Sequence, residues 1–90
     1  MTGAASVILL HPGDNVLVCT ATVHAGDRLP IDGGAIVALE DIPLGHKIAL
    51  RDFKVGDTVI KYGCDIGKIV QPVKAGEHVH TQNLKTKRWA

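Results

Sequence analysis

Two histidines stand two residues apart near the C-terminus, within residues 76–85 (GEHVHTQNLK). In an extended strand the side chains alternate between faces, so His78, His80 and Gln82 would lie on one face and Val79 on the other. The two imidazoles would then be roughly 7 Å apart at their Cα atoms. Imidazole exchanges a proton near neutral pH, so this spacing favours acid–base or ligand-binding chemistry. A strand that simply faces solvent has the same pattern, and the spacing alone leaves both interpretations open.

Two further stretches place titratable side chains beside predicted turns. His46 and Lys47 come directly after Gly45, and residues 61–63 (KYG) put an amine and a phenol at the end of a predicted strand. Side chains at strand ends can converge on a ligand while the scaffold stays rigid. A lysine ammonium suits a carboxylate or a sulfonate. Each stretch has a structural alternative as ordinary polar turn residues, and Asn83 could either contact a ligand or bond its own backbone.

A complete catalytic or metal site cannot be assembled from these residues. Asp27, Asp57 and Glu77 all follow turn glycines, where we expect solvated carboxylates. Two histidines could share a metal ion, but a stable site usually needs three or four protein ligands. The sequence has no recognisable Ser-His-Asp or Cys-His grouping and no phosphate-binding loop. The residues therefore amount to half of a site, and the metal ligands stay unassigned.

The elements that must position these residues are predicted to be short strands. The chain has ten Val, eight Ile and eight Leu against a single Phe, Trp and Tyr, and β-branched aliphatics suit pleated strands. No segment shows helical periodicity over eleven residues or more, and the best helical candidate, residues 36–40, is short. We predict one all-β domain over residues 7–85, with tails at residues 1–6 and 86–90.

A recurring turn separates the predicted strands. Each copy has an apolar residue three before a glycine and another three after it, and glycine can adopt the positive φ that a tight turn requires. The copies are residues 23–29 (VHAGDRL), 42–48 (IPLGHKI), 53–59 (FKVGDTV) and 73–79 (VKAGEHV). The predicted strands are residues 7–10, 15–23, 47–50, 58–62, 66–73 and 78–80, and the first of them is predicted to be buried on both faces. Residues 11–15 are predicted to form a turn, with Asp14 and Asn15 as turn formers, and residues 29–34 a loop or short edge piece.

Composition excludes some functions. The net charge is +1, and without a basic stripe or aromatic surface nucleic-acid binding has little support. Cys19 and Cys64 lie beside apolar runs, so we expect buried free thiols in a reducing compartment. The apolar run at residues 7–10 is too short to span a bilayer and has no basic residues before it. These features predict a cytoplasmic protein.

Four motifs, taken in order, resemble a known family. They are residues 11–16 (HPGDNV), 45–50 (GHKIAL), 60–67 (IKYGCDIG) and 76–84 (GEHVHTQNL). They resemble the small N-terminal domain of the altronate and galactarate dehydratases, which also occurs as the small subunit of sulfolactate sulfo-lyase. This module is a SAF domain, and the resemblance implies a β-clip fold.

The resemblance also implies a function. The family eliminates water from a sugar acid, or sulfite from sulfolactate, and typically depends on a divalent metal such as iron. Most of that machinery lies in a large domain absent from this chain. The resemblance therefore implies a small subunit or detached domain that completes the active site of a large partner, with no cofactor assigned to this chain alone. It further implies catalytic roles for His46 and His80, and substrate contacts for Lys47 and Asn83.

One position departs from the family pattern. The family commonly has a second histidine two residues after the one that matches His80, and this chain has Gln82 there. An amide cannot shuttle protons and is a poor metal ligand, so that role is lost here or moved to His78. A stand-alone module that binds sugar acids or other anions, or assists assembly, is the alternative function. Ice binding is disfavoured, because the six threonines are scattered.

Overall fold

The protein is described by a computed structural model that covers residues 6–31 and 33–86, and within these ranges it forms nine strands and no helix. The strands are β1 (Val7–Ile8), β2 (Val16–Cys19), β3 (Arg28–Ile31), β4 (Gly34–Val37), β5 (Lys47–Ala49), β6 (Thr58–Lys61), β7 (Cys64–Ile69), β8 (His78–Val79) and β9 (Leu84–Lys85). The all-β prediction is confirmed. Most of the predicted tails, residues 1–5 and 87–90, lie outside the described residues. No described segment could cross a membrane as a helix.

The strands form three antiparallel sheets. Their orders are β1-β2-β5-β8, β3-β4 and β6-β7-β9. In the first sheet β5 lies between β2 and β8, and Lys47 is paired with Val18 on one side and Val79 on the other. This central position of β5 brings the segment after Gly45 next to the His-Val-His segment, although the two are more than thirty residues apart in sequence.

Strand β2 divides the core into two clusters, because its alternate side chains point to opposite faces. Leu17 and Cys19 pack into one cluster, and Val16 packs into the other. The first cluster also holds Val7, Val23, Leu29, Ala38, Ile42 and Ile48, and the second holds Ala49, Phe53, Val59, Ile69, Val73 and Val79. Val79 is fully buried, so β8 is anchored in the core directly between His78 and His80.

The four predicted glycine turns are present, and three of them share one side-chain hydrogen bond. Gly26, Gly45, Gly56 and Gly76 all have positive φ, between 85° and 95°. The apolar residues that precede them pair across the molecule as isolated bridges, Val23 with Ile42 and Phe53 with Val73. In three copies the acidic side chain after the glycine accepts the backbone N–H of the residue three before it: Asp27 from His24, Asp57 from Lys54 and Glu77 from Lys74. These carboxylates are partly exposed, as expected, and they also close their own turns.

Two of these glycines give a matched test of the turn. Gly26 and Gly76 have the same φ of 92°, but an added Cβ at Gly26 meets nothing within 4 Å, whereas at Gly76 it would collide with the carbonyl oxygen of Val37. We expect Gly26→Ala to cost about 1–2 kcal/mol for the left-handed backbone alone. Gly76→Ala adds the collision and should cost roughly 2–5 kcal/mol. Urea unfolding measures both, and equal losses would contradict the close approach at Gly76.

The helix considered for residues 36–40 is not formed. Ile36 and Val37 pair with Leu29 and Arg28 in the β3–β4 hairpin, and Ala38 donates its N–H to the Asp27 carbonyl. A five-residue segment gains too little from one or two helical hydrogen bonds to offset nucleation, whereas the hairpin partner satisfies its backbone. Of the two interpretations for residues 29–34, the edge piece is observed at residues 29–31, where Pro30 is accommodated in a two-stranded sheet.

Two expectations about burial are wrong. Cys19 is buried and free as predicted, and burial raises the pKa of its thiol, but Cys64 is exposed because it begins β7 directly after a tight turn. The strand at residues 7–10 was predicted to be buried on both faces, but β1 ends at Ile8. Ile8 is 46% exposed, because β1 is an edge strand covered on one face only.

Asp14 and Asn15 do more than form a local turn. The Asp14 carboxylate accepts the backbone N–H groups of Tyr62 and Gly63 at 2.7 and 2.8 Å. The Asn15 side chain makes two hydrogen bonds to β6: its amide nitrogen donates to the Thr58 carbonyl, and its amide oxygen accepts the Ile60 N–H. These bonds join β2 to the β6–β7 hairpin, so the two residues link the sheets.

The Asp14 bonds predict an acid dependence of stability. Burial alone would raise the pKa of the carboxyl, but the N–H groups of Gly63 and Tyr62 outweigh it and lower the pKa below its ordinary value. The stabilisation is then complete above the unfolded-state pKa, near 3.8, and is lost as the pH falls through the lower folded-state pKa. We expect Asp14→Asn to be less stable than wild type at pH 7, and the difference to shrink as the pH falls below about 4. Urea unfolding across this range checks it, and a pH-independent difference would contradict it.

Candidate functional site

His46 owes its place to a change in the repeated turn. In the other three copies this position holds the acid that accepts an N–H from three residues before. Here the residue three before is Pro43, which has no N–H to donate, so no acid is needed. The turn is still closed by the His46 N–H, which donates to the Pro43 carbonyl at 3.0 Å. The imidazole is thereby free to point away from the turn.

The register between β5 and β8 brings His80 and His78 next to His46. Lys47 is paired with Val79, and Ile48 with His78. Continuing this antiparallel register by one residue puts His46 opposite His80, and side chains at opposed positions lie on the same face. The His46 and His80 rings accordingly stack, with centroids 4.1 Å apart. His78 and His80 share one face, as their spacing predicts.

The three imidazoles form a compact histidine cluster. His46 Nδ1 and His78 Nε2 are 2.8 Å apart, a hydrogen bond in which one nitrogen must carry the proton and the other must accept it. The ring centroids of His46 and His78 are 5.0 Å apart, and those of His78 and His80 5.4 Å. All three side chains are partly exposed. His46 and His80 therefore lie together, as the family resemblance implies, and His78 joins them.

The surrounding segment holds two of these histidines by their backbones. Asn83 is buried, its Oδ1 accepts the His80 N–H at 3.0 Å, and its Nδ2 donates to the His78 carbonyl at 2.8 Å. Glu40 Oε2 accepts the His78 N–H at 3.0 Å. Of the two alternatives for Asn83, bonding its own backbone is the arrangement observed, and a direct contact to substrate stays a prediction. Nothing in the sequence around Glu40 indicated its contact with His78.

Lys47 adds a positive charge beside the cluster. Its side chain is half-buried, and burial followed by the charge of Lys61 lowers the pKa of its ammonium below the ordinary value. Lys47 in turn contributes to the electrostatics of both His78 and His80. An ammonium that is partly desolvated and close to a second lysine is well suited to an anionic ligand.

Two of the imidazoles are held toward the neutral form. For His78, burial lowers the pKa most, followed by the charges of His46 and His80, while Glu40 acts in the opposite direction. For His80, burial again comes first, followed by His46 and Lys47. A neutral imidazole can accept a proton or offer a lone pair to a metal ion. Both kinds of chemistry are therefore open to this cluster at neutral pH.

The donor set fits a divalent transition-metal ion. One nitrogen from each of His46, His78 and His80 lies within 4.8 Å of the others, and no second group of three such ligands occurs among residues 6–31 and 33–86. Two imidazoles on one ion with bonds of about 2.1 Å have nitrogens about 3.0–3.4 Å apart, in octahedral or tetrahedral geometry. The His46 and His78 nitrogens, 2.8 Å apart, are close to this separation.

Two residues of the Lys61–Gly63 stretch have a structural role in the β6–β7 hairpin. Tyr62 and Gly63 form the two-residue β6–β7 turn, both with positive φ, as primed hairpin turns require. The Tyr62 side chain is 69% exposed. Lys61 acts on Lys47 through its charge.

Known proteins match nearly the whole chain. A family model described as the altronate/galactarate dehydratase SAF domain matches residues 5–87. An altronate dehydratase of Bacillus subtilis is 43% identical over 81 residues, which are 90% of this chain and 16% of that protein. A galactarate dehydratase (L-threo-forming) of Escherichia coli is 36% identical over 80 residues, 87% of this chain and 15% of that protein. The chain thus spans only a small part of these dehydratases.

A shorter relative is matched over most of its own length. The (2R)-sulfolactate sulfo-lyase subunit alpha of Paracoccus pantotrophus is 61% identical over 54 residues, which are 60% of this chain and 81% of that subunit. The same module therefore occurs both as part of a long chain and as most of a short one.

Proposed function

Because the chain belongs to the altronate/galactarate dehydratase SAF domain family, we propose that it is the small subunit or detached N-terminal domain of a lyase. Its relatives are lyases and dehydratases, and the reaction we propose is elimination of water or sulfite from a hydroxy acid. Altronate, galactarate and sulfolactate are the candidate substrates. The chain completes the active site of a separate large subunit and is inactive alone.

The observation that carries this proposal is the histidine cluster beside Lys47 on a partly exposed surface. Three imidazoles from the segments at β5 and β8 offer nitrogens within 4.8 Å of one another and stay partly exposed, and the charge of Lys47 acts on His78 and His80. The subunit alpha relative, matched over 81% of its length, supports a working arrangement in which this module is a separate subunit.

The chemistry needs the groups that this surface offers. In β-elimination a base removes the proton beside the carboxylate, the C–H electron pair forms the new double bond, and the leaving group departs with its own electron pair. His46 and His80 are the imidazoles we place at the reacting atoms, and Lys47 holds the substrate's carboxylate or sulfonate. Asn83 and Glu40 fix the backbone that carries His78 and His80.

A divalent ion such as iron is the cofactor we propose for the complete enzyme. When bound, such an ion stabilises the enolate charge as a Lewis acid. His46, His78 and His80 could hold it, and an imidazole nitrogen that did so would act as a ligand and not as the base, because its lone pair would be used.

Co-expression with a large dehydratase or sulfo-lyase chain from the same organism tests the proposal. We expect a stable complex that eliminates water or sulfite from one of the candidate acids, while the small chain alone is inactive. A large chain that is fully active without this one would refute the completing role.

The half-buried Lys47 beside Lys61 favours a second candidate, a stand-alone module that binds sugar acids or other anions without catalysis. Saturable calorimetric binding of altronate or galactarate to the isolated chain, with no complex formed in co-expression, would support it. Activity in a complex would exclude it.

A further inference from the structure

Tyr62 has a backbone conformation that its side chain does not favour. Its φ is 54°, and it is the only non-glycine residue with positive φ among residues 6–31 and 33–86. A bulky side chain strains the backbone in this left-handed region, and Asn, Asp or Gly is the usual residue at this position of a primed hairpin turn. The sequence has such a pair, Asp32-Gly33, between β3 and β4, where Tyr62-Gly63 stands between β6 and β7.

The Tyr62 side chain gains little from packing within the chain. It is 69% exposed, more than any other exposed large hydrophobic side chain in the described part of the chain. Strained residues persist where a function requires them. Tyrosine combines an apolar ring with a polar hydroxyl and has only two side-chain torsions to fix, so it is enriched among the residues that dominate binding at protein interfaces.

The tip of the β6–β7 hairpin holds this residue in a fixed position. The carboxylate of Asp14, a buried residue, accepts the N–H groups of both Tyr62 and Gly63. The His11 ring lies against Gly63, where an added Cβ would be 3.3 Å from two of the ring atoms. A segment that is already ordered loses little entropy on binding. The chain therefore presents an exposed aromatic ring on a preorganised backbone.

We propose that Tyr62 is an anchor residue for the large chain, whose surface buries the phenol ring when the two chains associate. This inference rests on the proposed function, which supplies the large chain as the partner. It adds to that function a docking residue that lies outside the histidine cluster.

The charges near the tip favour the large chain over a second copy of this one. Lys61 directly precedes Tyr62, and its charge acts on Lys47. The charge of Lys47 acts in turn on His78 and His80. A standard interface takes up about 20–30 residues of each chain, so a large chain that covers the cluster can also reach the tip. In a two-fold dimer through the tip, Lys61 would approach the lysines of its own copy, and like charges repel.

Substitution of Tyr62 by asparagine separates binding from stability. Tyr62→Asn gives the turn the Asn-Gly sequence that its backbone favours, so we expect the Tm of the isolated 90-residue chain to rise by about 4–8 °C. The Kd for the large dehydratase or sulfo-lyase chain of the same organism should nevertheless rise by about 30-fold or more, as for an interface anchor. Calorimetry measures both quantities. A residue that only forms the turn would not move them in these opposite directions.

Two further variants complete the test. Tyr62→Phe keeps the ring and should bind within about 10-fold of wild type, since only one neutral hydrogen bond is lost. Val55→Ala is the matched control, because Val55 is 62% exposed in the turn that precedes β6, and it should leave Kd unchanged.

The outcomes distinguish this inference from the proposed function. A complex that forms with equal Kd for wild type and Tyr62→Asn would overturn the anchor and leave the completing role standing. Equal Kd with a raised KM would overturn it in favour of a contact to the substrate. A Tyr62→Asn chain that loses both stability and affinity would show a structural role only. Absence of any complex with the wild-type chain would refute the anchor and the completing role together.

Discussion

Replacing His46 by alanine in the assembled enzyme should lower kcat by roughly 100- to 10,000-fold, the range that a positioned acid–base or electrophilic group contributes. His80→Ala should have a comparable effect, because His80 stacks on His46 at 4.1 Å and lies on the same exposed surface. Both side chains are partly exposed and belong to neither buried cluster, so we expect their loss to leave the core intact. Steady-state kinetics of the complex measures the effect.

The matched control for this experiment is His24→Ala. His24 lies in the glycine turn of the first copy, its side chain is exposed, and its backbone N–H and carbonyl close the turn. Complex formation by size-exclusion chromatography separates loss of catalysis from loss of docking. If the His46 and His80 variants assemble normally and keep full activity, the chain is a structural spacer and the catalytic roles are wrong.

Removing the charge of Lys47 should raise KM for the anionic substrate by roughly 10- to 100-fold, since a hydrogen bond to a charged group contributes about 1.5–3 kcal/mol. Lys47→Met keeps the apolar stem of this half-buried side chain and removes only the ammonium. Lys54→Met is the control, because Lys54 is exposed in a different turn, which it closes through its backbone N–H and carbonyl. Equal KM values for the two variants would exclude Lys47 as the anion contact.

The pH dependence gives an independent check on Lys47. Burial, then the charge of Lys61, lowers the pKa of the Lys47 ammonium, so its positive charge is lost at a lower pH than for an ordinary lysine. We expect KM to rise on the alkaline side as the pH passes through this lowered pKa. Lys47→Arg should abolish that rise, because a guanidinium stays charged. An alkaline rise that persists in the arginine variant would assign it to another group.

The parts of the site that sequence could predict are those that depend on near neighbours. The common face of His78 and His80 follows from strand alternation, and the turns follow from glycine with flanking apolar residues. The convergence of His46 with His80 depends on the pairing of β5 with β8, and no spacing within either segment contains that register. The resemblance to the family implied that both histidines belong to the site. The pairing of β5 with β8 is the physical reason that they meet.

Other features were missed although a signal for them was present. The four turn copies differ at one pair of positions, where Pro43 and His46 replace a residue with a free N–H and an acid. That paired change marks His46 as released from closing the turn. An asparagine at position 83 is compatible with a contact to a ligand and with a hydrogen bond to the backbone. In the folded chain its side-chain amide bonds the backbone of residues 78 and 80.

The most direct test is to titrate a purified large chain with the 90-residue chain and follow the rate of elimination. We expect a rate near background without the small chain, a linear rise, and a plateau at one small chain per large chain. The His46→Ala chain should bind the large chain yet leave the rate near background. A large chain already at its maximal rate before any addition would contradict the claim that this histidine cluster completes the active site.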